Sequence, residues 1–410
     1  MLVIMNYSMK KSQQKYLLLG SLYIAQYLPI GFFDQALPVL LRQQGYSLKA
    51  INLVYLLALP WMLKFLWSPI VDHYRSRRWG HYRCWIIVLE SLLVLTIVAI
   101  AISDLRQNLS WLLTTFFAIC FLSATQDIAT DALGVKLLAP HERGVGNGIQ
   151  NAGNFLGAIL GGGVMLILIA RWGWTTSFLL MAIALALPLM LVLQHQEKVI
   201  KPTYGGLPDF KAIADFFYRP QINPWLLVLL ISPMGSSMAS SILKPFFVDI
   251  GLSLQQIGSL NSLAGYTSGL VGSLVGGLLL IHWGHQRGLI NFVIFKTMGV
   301  ACLLIPVLGA KNLAIIYLVV ALHQFTVGMT TTVIMALMMS QSRLAMAGTD
   351  YTIQTALQMI GSTAAVVVGG VLADWLGYPI FFLLSVLVCA IAVVLCCRLS
   401  TRPSFWQGVQ

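Results

Sequence analysis

The chain has 410 residues, of which 58% are hydrophobic and only 9% charged, with a formal net charge of +12 and a mean hydropathy of +0.83. This composition excludes a soluble globular domain. At roughly 20 apolar residues per crossing it leaves room for about twelve transmembrane helices and no extramembrane catalytic domain. In a soluble protein the positive balance would point to nucleic acid. Here its placement along the chain matters more, and no nucleic-acid partner is expected.

Apolar spans are predicted at 16–41, 50–71, 84–102, 109–138, 144–170, 175–193, 223–247, 257–281, 289–308, 313–340, 348–376 and 379–397. The short basic stretch before the first span is followed by a full-length apolar run, so it reads as the start of a membrane helix and not as a signal peptide. Basic residues such as Lys10, Lys11, Lys15, Arg75, Arg77, Arg78, Arg83, Arg398 and Arg402 gather on one set of loops, while the opposite set keeps Arg42, Lys49, Arg106, Arg171 and Lys311. By the positive-inside rule both termini are expected in the cytoplasm. The longest hydrophilic connection, 195–221, is expected to link a six-helix bundle at 1–194 to a second at 222–410. The six cysteines fall in apolar runs or at a helix start, and no spacing resembles a metal site, so neither disulfide, metal nor cofactor is expected.

The first span carries Gln26, Pro29, Gly31, Asp34 and Pro38. Prolines and glycine loosen a helix where protein or water covers it, which places this span against a cavity. Asp34 either binds substrate or reaches the outer interface. Near the end of the second span, Lys64 lies between Trp61 and Trp67, and it either reaches headgroups or pairs with a carboxylate such as Asp131. Asp72, Arg75 and Arg77 follow in the connecting loop, whose arginines read on their own as a positive inside loop. Glu90, in the third span, has no obvious sequence partner.

The fourth span holds Gln126-Asp127-Ile128-Ala129-Thr130-Asp131-Ala132. Asp127 and Asp131 are four residues apart and share one helix face. Two adjacent carboxylates at membrane depth call for a proton or a cationic partner, so both are candidate proton carriers, with a purely structural role the alternative for each. Gln150, Asn151 and Asn154 of the fifth span, Lys244 of the seventh, Gln324 of the tenth and Gln354 and Gln358 of the eleventh join Gln26, Asp34 and Gln126 as candidate substrate-binding residues. Lys244 alternatively marks the outer end of its helix. His323 titrates near neutrality in isolation and is either a proton relay or a hydrogen-bonded packing residue. The glycines 157, 161, 162 and 163, and 361, 369 and 370, are expected to let helices approach closely.

Two stretches recur. Gly45-Tyr46-Ser47-Leu48-Lys49-Ala50-Ile51 resembles Gly251-Leu252-Ser253-Leu254-Gln255-Gln256-Ile257 at an offset of 206, and 143–150 resembles 347–354 at an offset of 204. A parallel six-helix repeat of this kind resembles the layout of the major facilitator superfamily, with a substrate path between halves. The loop around Asp72 resembles that superfamily's gate signature, which implies gating roles for Asp72 and Arg75 or Arg77, with Lys64 a further gating candidate; the second-half counterpart, 281–288, lacks the Asp. The fourth-span motif resembles the branch that includes AmpG muropeptide permeases and acetyl-CoA transporters. The stretches 36–45, 64–69, 146–150 and 243–245 are similar to the RhtX/FptX siderophore importers within it.

This resemblance implies an all-α fold of two pseudo-symmetric six-helix bundles and a non-enzymatic, proton-coupled importer. Its substrate would be an iron-loaded siderophore, carried across a bacterial inner membrane by alternating access. By motif position it carries the helix-four carboxylates onto Asp127 and Asp131, and the helix-seven lysine onto Lys244. The expected partners are the small-molecule substrate, protons and the lipid bilayer, with the protein a monomer. A muropeptide or acyl-CoA permease, a siderophore or drug exporter, and a non-transporting membrane scaffold are the alternatives.

Overall fold

The computed structural model describes residues 2–43, 57, 59–76, 79–102, 109–197, 208–219 and 222–406. Arg77, the 45–51 copy of the repeat, and residues 198–207 and 220–221 of the expected linker lie outside the described residues. Among the described residues every regular element is helical, with one isolated bridge between Ser76 and Gly80. This follows from the solvent, because backbone groups in hydrocarbon must be satisfied within their own segment.

Among the described residues, eight stretches are long and apolar enough to cross a membrane. Three of them, Pro140–Gln194, Gln256–Val307 and Leu344–Ser400, run 55, 52 and 57 residues, more than twice the roughly 20 needed for one crossing. Each is interrupted at a glycine in the left-handed region: Gly173 at φ 78°, Gly284 at φ 71° and Gly377 at φ 71°. Glycine adopts this conformation without a Cβ penalty. The three interruptions fall where the sequence separates 144–170 from 175–193, 257–281 from 289–308, and 348–376 from 379–397. Each long stretch therefore supplies two crossings. The expected second crossing is described from Leu59 onward as Leu59–Leu63, the 3-10 turn Lys64–Leu66 and Ser68–His73. Gly80 and Gly284, and likewise Gly173 and Gly377, adopt positive φ at positions 204 residues apart, the spacing of the sequence repeat.

The chain forms two compact units, comprising Met1–Leu138, Gly153–Ile213 and Ser342–Thr352 in the first, and Ala139–Ala152, Ala214–Gln341 and Ile353–Gln410 in the second. Each unit thus takes a short segment from the other half of the sequence. The two segments are repeat-equivalent, and each begins with a 3-10 turn, Pro140–Glu142 and Leu344–Met346.

The core of the first unit centres on Phe32, which stacks on Phe116 at 5.7 Å and meets Phe178 edge-on at 4.9 Å. Its helices approach closely because Gly157 and Gly161 face the backbone of the first helix; a Cβ on Gly161 would collide with the Leu28 carbonyl. The core of the second unit is built from Met238, Phe246, Phe247, Ile316, Phe381 and Phe382. Leu95, Leu318, Val367 and Ile391 point outward. Lipid tails accommodate this apolar surface, which water would penalise.

Candidate functional site

In the first unit, polar side chains from three segments converge inside an apolar bundle. The first helix presents Tyr23 and Gln26, three residues apart and on one face. The Leu109–Leu137 helix presents Asp127 and Asp131. Lys64 enters from the 3-10 turn that interrupts the expected second crossing between Leu63 and Trp67. All five side chains are buried, Asp127 being 6% and Asp131 1% exposed.

Lys64 pairs with Asp127 Oδ2, and Gln26 Nε2 donates to Asp127 Oδ1 at 2.7 Å. The Tyr23 hydroxyl donates to Asp131 Oδ1 at 2.7 Å. Trp61 lies beneath the Lys64 ammonium, 5.1 Å from its ring centroid, and Tyr27 meets Trp61 edge-on. The partner of Lys64 is thus Asp127, one helical turn before the carboxylate suggested by sequence. One cation serves two carboxylates, which also contact each other. A hydrogen bond between two carboxyl groups is complete only with one proton between them. The cluster is chemically equipped to take up and pass on a proton. Thr130, on the same helix, is buried and its hydroxyl has no partner.

Gln126 faces elsewhere. It is fully buried and its Nε2 donates to Glu90 Oε2, which gives Glu90 the partner that sequence did not reveal. Asp34 is exposed and lies in the π-helical turn Phe32–Ala36.

At the basic end of the first unit, Asp72 is buried and accepts three hydrogen bonds. The Tyr82 hydroxyl and the Gly348 N–H reach Oδ1 at 2.6 and 3.0 Å, and the Thr349 N–H reaches Oδ2 at 2.7 Å. The two amides belong to the first turn of the Ala347–Ser400 helix, where unsatisfied N–H groups and the helix dipole favour an anion. Burial raises the Asp72 pKa above the ordinary carboxylate range, against the lowering effect of these hydrogen bonds. Arg343 grips Asp350 of the same segment with Nε at 2.8 Å and Nη2 at 2.7 Å, and its Nη2 also donates to the Ala212 carbonyl at 3.2 Å. The ion pair ties down a segment contributed by the other half of the sequence. Arg75 is half-buried. His81 stacks on Tyr82, its Nε2 meets the Val71 carbonyl at 2.9 Å, and Lys136 lies 3.4 Å from Nδ1. Burial, then the Lys136 charge, hold the His81 pKa down to about 3, so the ring is neutral.

In the second unit, His323 is buried with Nε2 3.1 Å from the Ser240 hydroxyl, while Nδ1 has no partner. Lys296, which sequence reasoning passed over, is also buried, and its Nζ donates to the Ser232 carbonyl and, at 3.1 Å, to the Ser232 hydroxyl. A lone lysine inside the apolar 289–308 span was the available signal. The hydroxyls of Thr326, Thr330 and Thr332 return to backbone carbonyls of their own and neighbouring helices, which is helix back-bonding.

Asn151 donates to Ser273 Oγ at 2.7 Å and to the Gly328 carbonyl at 3.3 Å. Gln354 accepts from Trp225 Nε1 at 2.7 Å and donates to the Met338 carbonyl at 3.1 Å. Gln150 is buried, Gln324 and Gln358 are half-buried, and Lys244 is exposed. Asn154, in the first unit, is half-buried and its Oδ1 has no partner. The site residues therefore fall into a Lys64–Asp127–Asp131 cluster with Gln26, a Glu90–Gln126 pair, an Asp72 hydrogen-bond cluster and Asn154 in the first unit, and separate amide and histidine positions in the second unit.

A family model described as Major Facilitator Superfamily matches residues 19–366, with a further match over 226–408. The chain belongs to the Major Facilitator Superfamily. This facilitator chain is 29% identical over 381 residues to the anhydromuropeptide permease of Escherichia coli strain K12, covering 90% of this chain and 77% of the permease. It is 24% identical over 377 residues to a Rickettsia felis protein named putative transporter AmpG 4, covering 88% and 90% of the two chains. Among solved structures, the human organic anion transporter MFSD10 aligns with a TM-score of 0.75 at 14% identity, covering 94% of this chain and 99% of that one. A variant of the E. coli fucose:proton symporter FucP aligns at 0.73 and 14%, covering 95% and 98%. The all-α facilitator fold and a multi-pass membrane transporter follow. The siderophore subtype suggested by the sequence motifs has no counterpart among the names of these relatives; the E. coli one is named an anhydromuropeptide permease and the Rickettsia one a putative transporter AmpG.

Proposed function

We propose that this facilitator is a proton-driven permease of a bacterial inner membrane that imports a muropeptide-class solute, a sugar bearing a short peptide. The substrate class rests on similarity to the anhydromuropeptide permease across 90% of the chain. Proton coupling is carried by one observation: Lys64, Asp127 and Asp131 sit together in the apolar interior, with one cation for two carboxylates. Asp127 and Asp131 would bind the transported proton, and Lys64 would report its departure by tightening on Asp127. In the second unit the half-buried amides of Gln324 and Gln358 offer donors and acceptors suited to sugar hydroxyls and peptide groups. The basic ends of the helices would face the cytoplasm, with Asp72 latching that side.

The test is uptake of a radiolabelled anhydromuropeptide in cells lacking their own permease, with and without this protein, repeated with a protonophore and with Asp127→Asn. Uptake that requires the protein and is lost under both treatments supports the reading. If only a ferric siderophore is taken up, the substrate class is wrong; if muropeptide uptake survives both treatments, proton coupling through Asp127 is wrong.

A further inference from the structure

Glu90 and Gln126 stand apart from the cluster just described. Glu90 lies on the Tyr82–Ala101 helix and Gln126 on Leu109–Leu137, and they are 1% and 0% exposed. Gln126 Nε2 donates to Glu90 Oε2. The remaining oxygens, Glu90 Oε1 and Gln126 Oε1, are both buried and both without a hydrogen-bond partner. If Glu90 is a carboxylate, these two oxygens are pure acceptors and neither can satisfy the other.

Among the described residues no cation offsets a charge at this position. On the helices packed against that of Glu90, the charged groups described are engaged elsewhere or lie at helix ends. Asp127 meets Lys64 and Gln26, Asp131 meets Tyr23, and Lys136 meets His81 and the Tyr82 ring. Asp72 meets Tyr82 and two amides, His73 packs on Tyr74, and Arg171 is exposed. A buried carboxylate with neither counter-ion nor a full set of donors is strongly disfavoured.

We propose that Glu90 and Gln126 form a second proton-binding site, in which Glu90 is held as the neutral carboxylic acid. One added proton, taken from water onto Glu90 Oε1, turns an acceptor into a donor directed at Gln126 Oε1. The amide N–H already donates to Oε2, so acid and amide close a reciprocal two-bond ring and both stranded oxygens are used. The site lies one residue before Asp127 on the same helix but faces another neighbour, so it stores a proton independently of Lys64. This inference does not rest on the substrate assigned above, nor on Asp127 being the coupling group.

The test is infrared spectroscopy of the purified full chain in lipid at neutral pH, following the carbonyl stretch of protonated carboxylic acids. The chain has three glutamates, Glu90, Glu142 and Glu197, and the other two accept backbone N–H groups at helix ends. Carbon-13 labelling of glutamate alone should shift one protonated-acid band in the unmutated protein. Glu90→Gln, which preserves an amide–amide pair, should abolish that band, whereas Asp127→Asn and Asp131→Asn should leave it. Absence of any glutamate-sensitive band in the unmutated protein overturns the proposal without need of a variant. So does a band that persists in folded Glu90→Gln.

Discussion

Replacing Asp72 by Asn should loosen the start of the Ala347–Ser400 helix. The carboxylate accepts from Tyr82 and Gly348 on one oxygen and from Thr349 on the other. An amide keeps only one acceptor oxygen, so one buried N–H loses its partner and the negative charge opposite the helix terminus disappears. Because burial raises the Asp72 pKa despite its hydrogen bonds, loss of the charge does not by itself weaken the contact; the cost that remains is one buried N–H left without an acceptor, about 1–3 kcal/mol. A net loss of about 2 kcal/mol corresponds to roughly 30-fold in the local opening equilibrium, at 1.4 kcal/mol per tenfold. Hydrogen exchange measured by mass spectrometry on peptides covering 343–352 reads the two donor amides directly. Asp72→Asn should speed their exchange by roughly 30-fold, and Asp72→Ala by more. Exchange within about threefold of the native protein would refute the argument. The pH dependence has a definite sign. Because burial raises the Asp72 pKa, the latched state binds its proton more tightly than a state exposing the carboxylate. The latch therefore weakens as pH rises through that titration, and opening should accelerate beyond the intrinsic pH dependence of exchange.

Three further outcomes are expected. His81 is neutral down to about pH 3 when folded, whereas an exposed histidine protonates near 6.5. Acidification through that window should therefore lower stability by up to about 1.4 kcal/mol per pH unit from this residue, and His81→Gln should flatten the melting-temperature profile between pH 7 and 5. Lys64→Met should cost about 3–5 kcal/mol by stranding Asp127, with much of the loss recovered on adding Asp127→Asn; simple additivity in a double-mutant cycle would show that the two side chains do not act as a pair. Gly161→Ala should destabilise by about 1–3 kcal/mol, because its methyl meets the Leu28 carbonyl, whereas Gly163→Ala, with no atom within 4 Å, should stay within about 0.5 kcal/mol. Equal melting temperatures for the two glycine variants would count against the helix contact.

The fold was legible because hydrocarbon leaves the backbone few options, so apolar length alone marks crossings. Even the divisions of the long helices were visible, since Gly173, Gly284 and Gly377 lie between the spans they separate. Asp127 and Asp131 stood out because carboxylates are rare in such a segment. Their partners did not, since Lys64 is 63 residues from Asp127 and Tyr23 is 108 from Asp131, and periodicity says nothing about pairing at that range. Gln126, a candidate substrate contact from sequence, adjoins Asp127, but successive residues on a helix point about 100° apart, and its amide meets Glu90, a pairing the sequence did not show. Substrate subtype was the least legible feature. Amides, hydroxyls and a lysine recognise a sugar–peptide and an iron chelate with the same donor atoms.

The borrowed segment in the first unit also bears on how the chain is made. Asp72 meets amides 276 and 277 residues further along, so during synthesis its carboxylate must wait for almost the whole polypeptide to emerge before its acceptors are filled. The early helices can insert in order, but the first unit cannot complete its contacts as an isolated nascent domain. Maturation is then a late, chain-length-dependent event. Truncations ending before Ser342 should leave the amino-terminal helices inserted in the bilayer yet open to quality-control proteases at the Asp72 end.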